Sequence, residues 1–164
     1  MNKISPNAKF YGNIVFGENV RVDDFCILTG NIVIGDNVHI ACHSFFSGGD
    51  GIIIEDFAQF GPRTSLLTAS DDYSGRSMVG PCIPDMYKPF LKRGKIIIKK
   101  HVLLGINTTV MPGVTIGEGC SVGAYSFVKE SLLPWGMYVG IPAKFIKRRS
   151  MDILNLEEKF KETI

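Results

Sequence analysis

Three groups of residues in this 164-residue chain carry side chains able to do chemistry. The first is the stretch Thr68 to Gly75, TASDDYSG, where Ser70, Asp71 and Asp72 stand together before Tyr73, with Tyr87 and Phe90 further on. Neighbouring carboxylates can take a proton or hold a cation, and tyrosine rings can stack on planar ligands. The same residues also serve simply to cap a turn and to pack a loop. The second group is the histidines His39, His43 and His101; a neutral imidazole suits proton transfer near pH 7. The third is Lys144, Lys147, Arg148 and Arg149, a cationic cluster that is either a solvated face or a phosphate contact. Cys26, Cys42, Cys82 and Cys120 form no C-x-x-C pair, which argues against zinc.

What must position these residues is written in a period of six. Phe16, Val22, Leu28, Ile34 and Ile40 keep the step, Ile54, Phe60 and Leu66 resume it, and Ile98, Leu104, Val110, Ile116, Val122 and Val128 resume it again. A second row of apolar or small residues runs two positions earlier, as in Ile14, Val20, Cys26, Ile32 and Val38, and later in Thr108, Val114 and Cys120. Neither a helix of 3.6 residues per turn nor a simple alternating strand yields a strict six. The period predicts an all-β fold, a parallel β-helix in which each unit forms one flat side of a coil. Cys26 and Cys120 fall on the inward row, as core residues.

The breaks in the period matter as much. Ser47-Gly48-Gly49-Asp50-Gly51 shifts the register by two and reads as a tight turn bulging from a coil corner. From about 69 to 95 the period vanishes in a stretch rich in Gly, Pro and polar residues, and so long a loop inside a compact domain is usually functional. PWGMYVGIPAKFIKRR is expected to leave the solenoid. Residues 1–149 then form the β-helix domain and 150–164 a short amphipathic helix. Ser150 would be its N-cap, and Ile153, Leu156 and Phe160 would share a face with Leu154 and Ile164 nearby. Such a helix should pack on the open end of the solenoid or on a neighbouring subunit.

Composition sets the remaining bounds. Hydrophobic residues make up 45% of the chain, enough for a continuous core, and Lys+Arg 18 against Asp+Glu 16 gives a net charge of +2, which does not suggest nucleic acid. The N-terminal MNKISPNAKF has no apolar run of signal type, and no apolar stretch is long enough to span a membrane. A reduced, cytoplasmic protein is the expectation.

The run from Leu104 to Val128, LGINTTVMPGVTIGEGCSVGAYSFV, resembles the signature of the hexapeptide-repeat, acyl-CoA-dependent sugar acyltransferases, and Gly140-Ile141-Pro142-Ala143-Lys144 resembles the element that follows their last coil. The resemblance implies a left-handed parallel β-helix and a homotrimer with active sites between adjacent solenoids. Acetyl-CoA would lie along the C-terminal coils, and the long loop would reach over the neighbour. Gamma-class carbonic anhydrases share this fold but hold zinc through three histidines, for which His39, His43 and His101 have the wrong spacing. In the galactoside and maltose acetyltransferases a histidine opening the loop serves as base. The matching register places Asp71 there, and His43 where those enzymes carry a substrate-contacting asparagine. His43 and Asp71 are thus the expected catalytic pair, facing one cleft, with Ser70, Asp72, Tyr73 and Tyr87 on the substrate. His101 is expected to be a solvated corner residue.

Gly105, Gly123, Ala124 and Ser126 would grip the pantetheine arm, Gly105 supplying an N–H to the thioester carbonyl, and Lys144, Lys147 and Arg148 would meet the CoA phosphates. TASDDYSG with Gly80-Pro81 and Ile83-Pro84 is also similar to acyltransferases acting on dTDP-4-amino-4,6-dideoxyglucose. Loss of the loop histidine fits an amine acceptor better than a hydroxyl, because an amine need only be unprotonated to attack. The expected function is N-acetylation of a nucleotide-linked amino deoxysugar for surface-polysaccharide synthesis. The alternatives are O-acetylation of a sugar with His43 as base, and a non-catalytic solenoid scaffold.

Overall fold

The six-residue period becomes three flat faces wound around one apolar core. The structure, a computed structural model, describes residues 1–163; Ile164, assigned above to the helix's apolar face, lies outside the described residues. One face stacks Lys3–Ile4, Arg21–Val22, His39–Ile40, Gln59–Phe60, Leu103–Leu104, Ser121–Val122 and Gly136–Val139 in parallel, and Lys144–Arg148 adds an antiparallel last strand. The second and third faces share strands in the N-terminal half, where Lys9–Phe16, Ile27–Ile34 and Phe45–Ile54 run through the corner between them. In the C-terminal half they separate: Ser65–Leu67, Thr109–Val110 and Phe127–Val128 form the second, Ile96–Ile98 and Thr115–Ile116 the third.

Both inward rows are buried as their spacing predicts. Leu28, Ile40, Leu66, Leu104 and Ile116 of one row, and Cys26, Ile32, Ala58 and Cys120 of the other, have essentially no exposed surface. Each fully buried aliphatic side chain contributes about 1.5–3 kcal/mol. The buried polar members of the second row keep their hydroxyls satisfied locally. Ser44, Thr64, Thr108 and Ser126 stack coil on coil, and each Oγ donates to the carbonyl three residues earlier at 2.7–2.8 Å.

Corners need left-handed backbone, and two columns of non-glycine residues adopt it. Phe25, His43, Arg63, Asn107 and Tyr125 mark the corner between the first and second faces. Asn19, Asn37, Phe57, His101 and Trp135 mark the corner between the third and first. At the remaining corner Gly12 and Gly30 have positive φ, and a Cβ on Gly30 would lie 2.4 Å from the Gly48 carbonyl carbon, so the chain passes there only without side chains.

Three expectations change. The glycine-rich segment 47–51 shifts the register by two at a corner as expected, Gly30 pairing with Gly48 and Ile32 with Ile52, but it is no separate turn, because the strand Phe45–Ile54 runs through it. Gly136–Val139 does not leave the solenoid but adds a rung beneath Ser121–Val122. The C-terminal helix, Asp152–Lys161, packs against the Asn19–His101 corner column rather than over an open end, with Phe160 edge-on to Phe57 at 5.9 Å. The helix starts after Met151, so Ser150 is not its N-cap residue, yet its Oγ still accepts the Asp152 N–H at 3.1 Å.

Candidate active site

The loop after Thr68 leaves from the corner between the second and third faces and returns to it. Its stem is a two-residue antiparallel ladder, Ser70 against Lys92 and Ala69 against Arg93. A short 3-10 turn, Asp85–Tyr87, folds its far half back. Lys88, just after that turn, is the single buried residue between 69 and 95. Its ammonium donates to the Gly80 carbonyl at 3.2 Å and pairs with Asp85 at 2.9 Å. Gly80 in turn donates its N–H to Asp71 Oδ2 at 3.1 Å, so a buried cation and one oxygen of Asp71 are joined through a single glycine residue.

Asp71 stands on the wall between two cavities. The smaller, of about 240 Å³, lies inside the loop between Ser70, Gly80, Lys88 and Arg93. The larger, of about 530 Å³, lies between the loop's first residues, Lys92, and a floor of Met111, Pro112, Phe127 and Lys129 from the coils below. Ser70, Asp72 and Tyr73 line this larger cavity with Asp71, whereas Tyr87, half exposed, lines neither. Asp72 is also a turn-former. Its oxygens accept the Ser74 N–H at 3.0 Å, the Ser74 hydroxyl at 2.8 Å and the Arg76 N–H at 2.9 Å. Those donors hold its carboxyl below the usual carboxylate range.

His43 sits elsewhere in the chain. Exposed at the corner between the first and second faces, it stacks on Phe25 at 5.1 Å, and neither cavity that Asp71 lines includes it. Within one chain the two expected catalytic residues therefore occupy different edges of the prism. His101 is a plain correction: it is not solvated but 3% exposed, stacked on Phe57 at 5.1 Å with Nε2 2.7 Å from Glu157. Glu157 is buried too. Burial pulls its carboxyl up, but hydrogen bonds from Lys100, Lys161 and His101 outweigh it and hold the pKa at about 2.

The expected cofactor residues lie together at the base of the solenoid, with one correction. Gly105, Gly123, Ala124 and Ser126 form adjacent turns of one corner, and a Cβ on Gly105 would lie 2.6 Å from the Ala124 nitrogen. The Gly105 N–H already donates to the Val122 carbonyl at 2.8 Å and is not free for a thioester carbonyl. Ser126 is likewise committed, donating to Gly123 O and accepting from Gly140 N–H. Lys144, Lys147 and Arg148 are all exposed on the last strand. Arg149 parts from them: its guanidinium donates to the His101 and Gly119 carbonyls at 2.8 and 3.0 Å, which makes it a structural clamp. Sequence reasoning missed Arg76, Lys92, Met111, Phe127 and Lys129 at the larger cavity. The one available signal was the loop's return, which must place 92 and 93 opposite its start.

Comparison with known proteins gives this geometry its context. The model of the bacterial transferase hexapeptide repeat matches residues 13–48 and 95–130, on either side of the loop. A dTDP-4-amino-4,6-dideoxy-D-glucose acyltransferase of Escherichia coli is 42% identical over 97% of this chain and 85% of its own length. The chain belongs to the hexapeptide-repeat acyltransferase family. Within that family, the crystal structure of a variant of AntD, an N-acyltransferase from Bacillus cereus in complex with dTDP-4-amino-4,6-dideoxyglucose and coenzyme A, superposes with a TM-score of 0.95. It is 46% identical and covers 99% of this chain and 90% of that one. AntD in complex with dTDP and 3-hydroxybutyryl-CoA superposes equally well, with a TM-score of 0.95 and 46% identity over 99% of this chain and 89% of that one. The hexapeptide family thus accounts for both the coils and the loop, since likeness to AntD runs through the whole chain.

Proposed function

We propose that this protein transfers the acyl group of an acyl-CoA to the 4-amino group of dTDP-4-amino-4,6-dideoxyglucose. The observation that carries this reading is the end-to-end likeness to an N-acyltransferase in complex with that sugar nucleotide and coenzyme A. The chemistry fits the loop. The amine attacks the thioester carbonyl, the C–N bond forms, the C–S bond breaks, and the nitrogen loses a proton while the thiolate leaves. Asp71, whose Oδ2 accepts the Gly80 N–H and whose side chain lines the cavity, orients the amine and takes its proton. Ser70, Asp72 and Tyr73 line the acceptor side of the same cavity.

Acetyl-CoA is the acyl donor in this reading, and the assembly is a homotrimer. Two observations support an oligomer. His43 and Asp71 lie on different edges of one chain, and large apolar side chains, among them Phe25, Ile27, Phe45 and Tyr125, stand exposed along the first corner and second face. Packing solenoids side by side brings the His43 edge of one copy against the loop of the next. Surface-polysaccharide synthesis in a reducing cytoplasm is the setting, which four free cysteines support.

The test is a thiol-release assay. CoA release with dTDP-4-amino-4,6-dideoxyglucose, and none with galactosides or maltose, is expected; release with the hydroxyl sugars alone overturns the reading. Acetyl-CoA against 3-hydroxybutyryl-CoA in the same assay decides the acyl chain. Asp71→Asn is expected to lower turnover at least about a hundredfold, the usual scale for a positioned base; unchanged turnover with Asp71→Asn and a loss of that size with His43→Ala moves the base to His43.

A further inference from the structure

Four of the loop's five cations divide into two sets. Lys88 and Arg93 are spent inside it: Lys88 on Asp85 and Gly80, Arg93 on Asp85 at 2.8 Å and Asp50 at 3.6 Å. Arg76 and Lys92 meet no carboxylate among the described residues, and both line the cavity of about 530 Å³ beneath the loop. A third cation reaches the same cavity from the coil below. Lys129 has only its chain neighbour Glu130, at 3.7 Å and 80% exposed. The two carboxylates at this cavity are already engaged by loop N–H groups, Asp71 by Gly80 and Asp72 by Ser74 and Arg76. The cavity therefore gathers three cations from three separate segments, none of them in an ion pair with the carboxylates that line it.

We propose that Arg76, Lys92 and Lys129 form a diphosphate-binding site, the anchor for a nucleotide substrate. The Arg76 side chain is held in advance. Its Nε donates to Ser74 Oγ at 2.9 Å and its guanidinium lies over the Phe90 ring at 4.2 Å, which leaves the planar fork to meet phosphate oxygens. With the ammonium groups of Lys92 and Lys129 on the same cavity the cluster carries three positive charges, suited to a diphosphate. Met111, Pro112 and Phe127 give the rest of the cavity an apolar floor, suited to the uncharged part of the same ligand. This set is distinct from Lys144, Lys147 and Arg148, which lie on the last strand. Lys129 lies at the junction, because it also lines a smaller cavity with Lys144.

The identity of the ligand rests on the proposed function, whose two substrates, an acyl-CoA and a dTDP-sugar, each contain a diphosphate. Calorimetric titration of the whole protein with CoA and with dTDP separates them. Lys92→Met and Lys129→Met are each expected to weaken one of the two nucleotides at least about tenfold and leave the other unchanged. They should also lessen the salt dependence of the weakened one, and Lys92→Arg should retain its affinity. The nucleotide that loses affinity is the occupant. Unchanged binding of both, or a loss with unaltered salt dependence, overturns the site. If the unsubstituted protein binds neither nucleotide, the functional reading falls. Titration with inorganic pyrophosphate then decides the site alone: binding that the two Met variants lose upholds it, and absence of binding removes it.

Discussion

Two segments of this chain stand outside the hexad pattern, the loop 69–95 and the C-terminal helix, and each buries a single residue of its own: Lys88 in the loop, Glu157 in the helix. Both are charged, and they are of opposite sign. Neither appendage is attached mainly by an apolar plug, because the solenoid's inward rows use the apolar positions for themselves. The surroundings of the two anchors differ. Glu157 faces His101, whose side chain is 2% exposed, and two lysines, on a corner roofed by Phe57 and Phe160. Lys88 faces Asp85, whose side chain is 67% exposed. One anchor is sealed and the other is open to water. Charge thus fastens both segments, the difference being how far each anchor is shielded from water.

The comparison can be broken or sharpened by experiment. The largest effect is expected in the frame common to both: Leu28→Ala should cost about 2–5 kcal/mol in chemical denaturation and unfold the whole chain in one transition. Two separate transitions would show that an appendage is independent of the coils. Glu157→Ala leaves His101 and Lys100 without their partner and should cost up to about 3 kcal/mol by the same measurement, with turnover kept within a few-fold. Lys88→Met should do the reverse. It is expected to cost about 1 kcal/mol, lower turnover about tenfold and deprotect the Gly80 amide to hydrogen exchange. Equal stability losses for Glu157→Ala and Lys88→Met would erase the distinction.

Acid should act on the helix. A carboxyl held at about 2 when folded, against 4.5 ordinarily, contributes stability that is complete above pH 4.5 and is lost as pH falls toward 2. Fluorescence of Trp135, whose carbonyl accepts the Arg149 N–H just before the helix, should therefore hold steady down to that range and shift below it. The smallest effect is that of salt at neutral pH. Added sodium chloride near 1 M should speed exchange of loop amides by less than about tenfold and leave those of the helix nearly unchanged, since both loop pairs use the exposed Asp85 carboxylate whereas the helix is held at the buried Glu157–His101 contact.

The rows of the core were legible because a solenoid repeats its environment, and each position of the hexad meets the same neighbours one coil on. Val22, Leu104 and Val128 could be assigned inward from spacing alone, and they are. The place of the loop was legible too, as the point where the period fails. What spacing does not encode is where an appendage returns. His101 occupies a corner position that is exposed at Asn19, the first residue of the column. Only the arrival of Glu157, 56 positions later, buries it. Arg149 looked like one of four neighbouring cations until the last strand turned its guanidinium inward to backbone carbonyls. Asp71 was found from register, but Gly80 and Lys88, which hold it, follow no period and left no mark in the sequence.

The bypassed loop also shapes how the molecule must assemble. Successive coils join partners 16 to 20 positions apart, as Ser121 to Met137, Asn19 to Asn37 and Asp36 to Asp56. At one place only, the rung from Gln59 to Leu103 and its neighbours, the chain must close over 44. Loop-closure entropy grows with length, so the coils on either side can form from nearby contacts before the junction does. The seam that carries the long loop is thereby expected to be the last part of the solenoid to zip, and shortening the loop would be expected to quicken folding.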